Sequence, residues 1–238
     1  MNPLIRRSGT LLALHSALSC AGASAIELHY PSTSGYPDIT MSARRARLLE
    51  HIALWLERFA SAPGLSLSLV DCGEANASYW GQRAEMRLCT EIIQRVAVAN
   101  ESEPDPGRRA LRKGGTLLWI AAHEFGHALI HRRQWPVLGR EEDAADQIAT
   151  LIVLRSSLAV PSIYGAISFF NQRLDGGDPG DVHSLDPVRR INIACIAFGV
   201  DPAAFGELAG LLPPKRRAQC AAEAAHLVRS VQSAGRTK

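Results

Sequence analysis

The chain has 238 residues, of which 47% are hydrophobic and 21% charged. That excludes wholesale disorder and supports one core of good size, while the length argues against two independent domains. A formal net charge of +3 is too small to argue for a nucleic-acid partner.

Residues 1–25 differ from the rest of the chain. Arg6 and Arg7 make a basic start, the apolar run LLALHSALSCAGASA comes next, and Ala23-Ser24-Ala25 is an A-x-A cleavage pattern. This order predicts a secretory signal peptide. The apolar run is short and interrupted by His15, so no stable membrane span is expected after cleavage. Residues 26–238 are then expected to be a single exported domain, periplasmic or secreted. Losing Arg6 and Arg7 and no acid brings the net charge to about +1. Cys20 leaves with the signal, and Cys72, Cys89, Cys195 and Cys220 remain. An even number in an exported chain predicts disulfides. Of the three pairings, Cys72–Cys89 and Cys195–Cys220 are favoured, since each joins cysteines within one local segment.

Pro31, Gly35 and Pro37 make residues 26–40 irregular or extended. Leu48, Ile52, Trp55 and Phe59 repeat at helical spacing, widened by Leu49 and Leu56, and predict an amphipathic helix over about 41–60 that stops at Pro63-Gly64. LSLSLV (65–70) alternates and reads as a strand, and MRLCTEII (86–93) as a second. NESEPDPGRRALRKGG (100–115) reads as a surface loop with solvated Arg108, Arg109, Arg112 and Lys113. Helices are then expected at 116–133, 141–158, 162–174, 186–198 and 214–231. A β part of two to four strands followed by a mainly helical part is an α+β arrangement.

The chemistry lies in HEFGH (123–127) and EEDAAD (141–146). His123 and His127 are four apart, so on a helix both imidazoles face one ion. Glu124 lies about 100° round the helix and can lean toward a water without being a ligand, as in H-E-x-x-H zinc peptidases. A hydrolytic zinc site wants a third protein ligand. Position 133 is Arg and position 130 is Ile, so a third His six residues on is absent. His131 would sit about 12 Å from His123 along the axis, too far to share an ion. The next helix can pack back antiparallel. Glu142 then supplies the third ligand and Asp146 fixes the tautomer of a ligating His, with Glu141, Asp143 or Asp146 as alternatives in the ligand role. Gly126 inside the helix marks a close approach of another element or tolerated drift.

His183, in DPGDVHSLD, is a candidate hydrogen-bond donor to an oxyanion, oriented by Asp181 or Asp186; a surface or capping His is the plain alternative. Asp186 is also a candidate N-cap for a helix starting at Pro187. Arg189 is expected to pair with an internal acid rather than a substrate carboxylate.

HEFGHALI together with PVLGREEDAADQIA resembles the DUF4344 family of bacterial metallopeptidases, and more loosely the gluzincins with an E-x-x-A-D segment. The likeness extends to Asp71-Cys-Gly-Glu-Ala-Asn76-Ala77, Arg87-Leu-Cys89-Thr-Glu91, and His183-Ser-Leu-Asp186 with Arg189 and Asn192-Ile-Ala-Cys195. Arg190-Ile191 stands where the family has an aromatic pair. The resemblance implies a zincin-like α+β fold. It also implies Zn2+ held by His123, His127 and Glu142, with Asp146 behind them. Peptide or related amide bonds would be hydrolysed through a zinc-activated water, with Glu124 as general base and His183 assisting. Residues 86–91, with Asn76 and Tyr79 before them, would bind the backbone of a peptide or protein substrate as an added strand. A non-catalytic zinc-binding domain with a structural or partner-binding role, and an amidase acting on cell-wall peptides, are the competing readings.

Overall fold

The computed structural model describes residues 25–172 and 180–235. All but the last residue of the expected signal peptide, and positions 173–174 of the expected 162–174 helix, lie outside the described residues.

Four short strands form one sheet: β1 (Glu27–His29), β2 (Ser66–Val70), β3 (Ala77–Trp80) and β4 (Glu85–Cys89). Their order is β1-β2-β4-β3. β1 and β4 run parallel to β2, and β3 is antiparallel to β4, with Tyr79 opposite Met86. The alternation of LSLSLV sends Leu67 and Leu69 into the core beside Met86 and Leu88 of β4. Ser68, on the other face, donates from Oγ to Glu85 Oε1 at 2.9 Å.

Helices make up most of the rest: α1 (Pro37–Arg45), α2 (Leu48–Phe59), α3 (Thr90–Ala99), α4 (Pro106–Arg133), α5 (Glu141–Leu154), α6 (Ala159–Phe169), α7 (Asp186–Val200), α8 (Pro214–Arg217) and α9 (Cys220–Ala234). The architecture is α+β, a small N-terminal sheet packed on a mainly helical body.

Three sequence expectations need correction. The helix expected over 41–60 is two helices, α1 and α2, because Arg47 adopts φ 51° between them. The strand expected over 86–93 ends at Cys89, and Thr90 opens α3. Ile92 is buried from that helix. The charged 100–115 segment is a loop only to Asp105. Its carboxylate caps α4, accepting from the Arg108 N–H at 2.6 Å, with Pro106 in the first turn. Asp-Pro here is a helix start rather than a breaker. Arg108 and Arg112 pair with the buried Glu103 instead of dangling in solvent.

α4 organises the molecule. Its residues 115–126 are all buried, as befits a helix covered on every side. α5 and α6 both lie along it. Two glycines permit this. A Cβ at Gly126 would stand 3.0 Å from the Ala145 Cα on α5, and one at Gly115 would stand 2.7 Å from Ser162 N and Cα on α6.

Both expected disulfides form. Cys72–Cys89 ties the segment after β2 to the end of β4, and Cys195–Cys220 ties α7 to α9. Closing loops of 17 and 25 residues is worth about 3 kcal/mol each in the chain-entropy account.

Gly115→Ala gives a sharp test of the packing. Helix propensity alone would gain about 1 kcal/mol. The methyl would instead meet the backbone of α6, so a net loss of about 1–3 kcal/mol is expected in urea unfolding. A stabilised variant would show that α6 sits further from α4 than described.

Candidate metal centre

α4 carries His123 and His127 one turn apart, with their rings edge-to-face at 4.9 Å between centroids. α5 crosses them at its first turn, where the Gly126–Ala145 contact brings it close. The two Nε2 atoms are 3.2 Å apart. Glu142 Oε2 lies 3.0 Å from His123 Nε2 and 3.3 Å from His127 Nε2. These three ligand-type atoms, each from a different side chain, converge on one point.

The outer nitrogens are held as well. His123 Nδ1 lies 2.8 Å from Asp146 Oδ1, and His127 Nδ1 lies 2.7 Å from Glu141 Oε1. An ionised carboxylate only accepts, so each Nδ1 carries a hydrogen; whenever an imidazole is neutral, its Nε2 lone pair then faces inward. Asp146 thus stands where the sequence put it, behind His123. Glu141 serves His127 in the same way and is not in the cluster. Asp143 points elsewhere, accepting from Ser184 Oγ at 2.6 Å.

Asp146 is itself buried and anchored. Arg189 donates from Nε to its Oδ2 at 2.8 Å and from Nη2 to its Oδ1 at 2.7 Å, the two-pronged fork that arginine makes with a carboxylate. The guanidinium also lies 4.2 Å over the Phe170 ring. Arg189 therefore pairs internally, as expected.

The electrostatics follow from burial and these contacts. Burial alone would lower the His123 pKa, but hydrogen bonds to Asp146 and Glu142 outweigh it and raise it to about 9. His127 is likewise lowered by burial and raised on balance, chiefly by Glu142. Glu142 is pushed up by burial yet held well below the usual carboxylate range by His123, His127 and His183. Burial also raises Asp146, and Arg189 brings it down to about 2. The centre calls for positive charge where the lone pairs meet.

Glu124 is different. It is buried, and that burial raises its pKa. Its carboxylate makes no hydrogen bond or ion pair among the described residues, although it lines the clefts on both sides of the cluster.

His183 reaches the cluster from the segment before α7. Its Nε2 is 2.9 Å from Glu142 Oε2, and its side chain is 41% exposed. Asp181, not Asp186, orients it: Asp181 Oδ1 accepts the His183 backbone N–H at 3.0 Å and lies 3.4 Å from Nδ1. Asp186 caps nothing; it is the first residue of α7, and Leu185 holds the cap position without a side-chain bond. One contributor escaped the sequence reading. Arg140 Nη1 donates to the carbonyls of Asp181 and His183 at 3.3 and 3.2 Å, fastening this segment to the start of α5. Its position just before EEDAAD was the available signal.

Two clefts meet at Glu124. One, of about 710 Å³, runs past Asn76–Tyr79, His127 and Glu142. The other, of about 220 Å³, enters between α3, α4 and the start of α7. β3 flanks the first and is an edge strand, whereas β4 is paired on both sides. The added-strand role read for 86–91 is therefore unavailable to β4, whose N–H and C=O groups are spent in the sheet. Only β3 on this side has a free edge among the described residues. Asn76 borders both clefts, and Tyr79 places its OH 3.1 Å from His131 Nδ1, away from the cluster. A second group of potential ligands, Cys72, Cys89 and Glu91, is no metal site: both sulfurs are in a disulfide, and Glu91 accepts the backbone N–H groups of Cys72 and Gly73.

No curated protein and no solved structure matches this chain. A family profile does, over residues 34–232, a span that takes in the sheet from β2 onward, both disulfides and every residue of the cluster. The profile is that of DUF4344, described as "Putative metallopeptidase". The chain belongs to the DUF4344 family, the group its HEFGH and EEDAAD segments resemble.

Proposed function

We propose that residues 26–238 form one exported zinc peptidase unit, released from the signal peptide 1–25, that hydrolyses peptide bonds in peptides or proteins. The observation that carries this reading is Glu124: a buried, unpartnered carboxylate beside two imidazoles and a third carboxylate. Such a group is costly to bury and does nothing for the fold. As a general base it has a use.

The donor set fits a divalent cation. With both imidazoles neutral and protonated at Nδ1, two inward lone pairs within 3.2 Å of each other and close to a carboxylate oxygen would repel unless a proton or a metal cation sat among them. Two nitrogens and one oxygen suit zinc better than magnesium or calcium, which prefer oxygen ligands. His123, His127 and Glu142 would hold the ion, and Asp146 and Glu141 would keep both imidazoles in the ligating tautomer. Bound there, zinc would supply Lewis acidity, polarising the scissile carbonyl and making water acidic enough to attack near neutral pH.

The chain's own groups then divide the work. Glu124 accepts the proton of the attacking water and returns it to the leaving amine; its burial-raised pKa suits both halves of that task. His183, steadied by Asp181, donates toward the oxygen that gains charge. The free edge of β3 holds the substrate backbone as an added strand, with side chains on either side of the cleaved bond entering the two clefts. The two disulfides, and the lack of a helix among the described residues long and apolar enough to cross a membrane, are in keeping with export.

The rival reading, a closed zinc site without catalysis, needs a fourth protein ligand. Asp146 is the natural candidate, but its oxygens are engaged by His123 and Arg189.

Metal content of protein purified without chelator or affinity metal tests the reading. About one zinc per chain is expected, lost in His123→Ala and weakened in Glu142→Ala. A well-folded wild type that neither contains nor takes up metal would remove the basis for a peptidase. Glu124→Gln should keep its zinc while kcat/KM on a peptide library falls about 10²–10⁴-fold; wild-type turnover in that variant would sink the mechanism. Arg189→Met should cost about 3–5 kcal/mol in chemical denaturation, since it strands a buried carboxylate. The same variant should weaken zinc about 10–100-fold, because His123 loses its anchored partner. Unchanged stability and affinity would show that Asp146 needs no such anchor.

A further inference from the structure

The smaller cleft has a composition that the chemistry at the metal centre does not use. It opens at Glu124 and His123 and is walled by Ile92, Trp119, Phe169 and Phe170. At about 220 Å³ it has room for one long side chain and too little for a larger ligand. Asp186 lines it too.

Asp186 is only 9% exposed. Neither carboxylate oxygen has a hydrogen bond or ion pair among the described residues, and Oδ2 is closed off from solvent without a partner. Placement in the first turn of α7 favours a negative charge but satisfies no lone pair. Arg189, one turn along the helix, feels the Asp186 charge but spends Nε and Nη2 on Asp146 and makes no hydrogen bond to Asp186. Arg95, on the α3 side, stacks its guanidinium 4.4 Å over the Phe169 ring. Buried carboxylates are ordinarily paired and hydrogen-bonded. A carboxylate left short of donors, in an aromatic-walled cleft beside the reacting groups, is built for a donor that arrives from outside.

We propose that this cleft receives a substrate side chain flanking the cleaved bond, and that Asp186 selects a basic one, lysine or arginine. This rests on the peptidase reading above. The aliphatic stem covers the aromatic wall while the charged head supplies the donors that Asp186 lacks. An uncharged side chain would dry the cleft and leave the carboxylate worse off, and an acidic one would add a like charge.

Two measurements test it. Peptides differing only at the residues flanking the cleaved bond should show kcat/KM for lysine or arginine about tenfold or more above norleucine, which keeps the stem and lacks the charge. In Asp186→Asn that ratio should fall to about one, with no loss in Tm, since the variant relieves an unpaired carboxylate. Independently of turnover, N-acetyl-lysine amide should perturb the NMR signals of cleft residues in the wild type. N-acetyl-norleucine amide should do so only at roughly tenfold higher concentration, and Asp186→Asn should erase the difference. Equal binding of the two amides in the wild type would overturn the proposal even if no peptide is cleaved. So would a preference for acidic residues. A fall in Tm for Asp186→Asn would also overturn it, by making Asp186 a structural partner of Arg189. Absence of cleavage alongside selective lysine binding would count against the peptidase reading alone.

Discussion

The closeness of α4 and α5 is the constraint on which the centre depends. Imidazole and carboxylate side chains are short, so atoms from two helices converge to about 3 Å only if the backbones nearly touch. Gly126 against Ala145 provides that contact, one residue before His127 and one before Asp146. The glycine costs helix propensity, and the convergence of His123, His127 and Glu142 is what it provides in return. Given that spacing, Glu142 on the first turn of α5 has little choice but to overlie the two histidines.

Close approach also concentrates charge. Glu124, Glu142 and Asp146 are buried or nearly so, and Arg189 is the permanent cation paired with one of them, Asp146. The arrangement holds because each group satisfies the next: Arg189 steadies Asp146, Asp146 steadies His123, and His123 meets Glu142. Such relays are worth more together than pair by pair, and they fail together when one member is removed. The segment bearing His183 joins the same relay through Glu142 and is stitched to α5 by Arg140 and Asp143. One helix start therefore sets both Glu142 and its exposed neighbour His183.

Much of this was legible in the sequence because it rests on short-range periodicity. The four-residue spacing of His123 and His127, and of Glu142 and Asp146, fixes their faces once a helix is granted. The cysteine pairs were legible because they are local. What was not legible depended on partners distant in the chain. Thr90, Ile92 and Ile93 are strand-forming residue types, yet they start α3, which packs against α4 and α6. Pro106 and Gly107 give residues 100–115 a loop-like composition, and whether Asp105 caps a helix there is settled by the backbone that follows. That β3 rather than β4 has the free edge is a matter of strand order, which alternation does not encode. That Asp186 lacks a hydrogen-bond partner could not be read either, since it is a property of the folded surroundings.

β4 passes into α3 without an intervening loop, Cys89 serving as the last strand residue and Thr90 as the first helical one. The sheet beside one cleft and the α3 wall of the other are thus a single stiff piece of chain, riveted at the joint by Cys72–Cys89. Insertions and deletions, the usual currency of loop-borne specificity, have no foothold there. Divergence among relatives built this way would run through single side-chain exchanges on α3 and α7, at positions such as Ile92, Arg95 and Asp186. Changes in cleft chemistry would then come in discrete steps, without remodelling of the backbone that carries His123, His127 and Glu142.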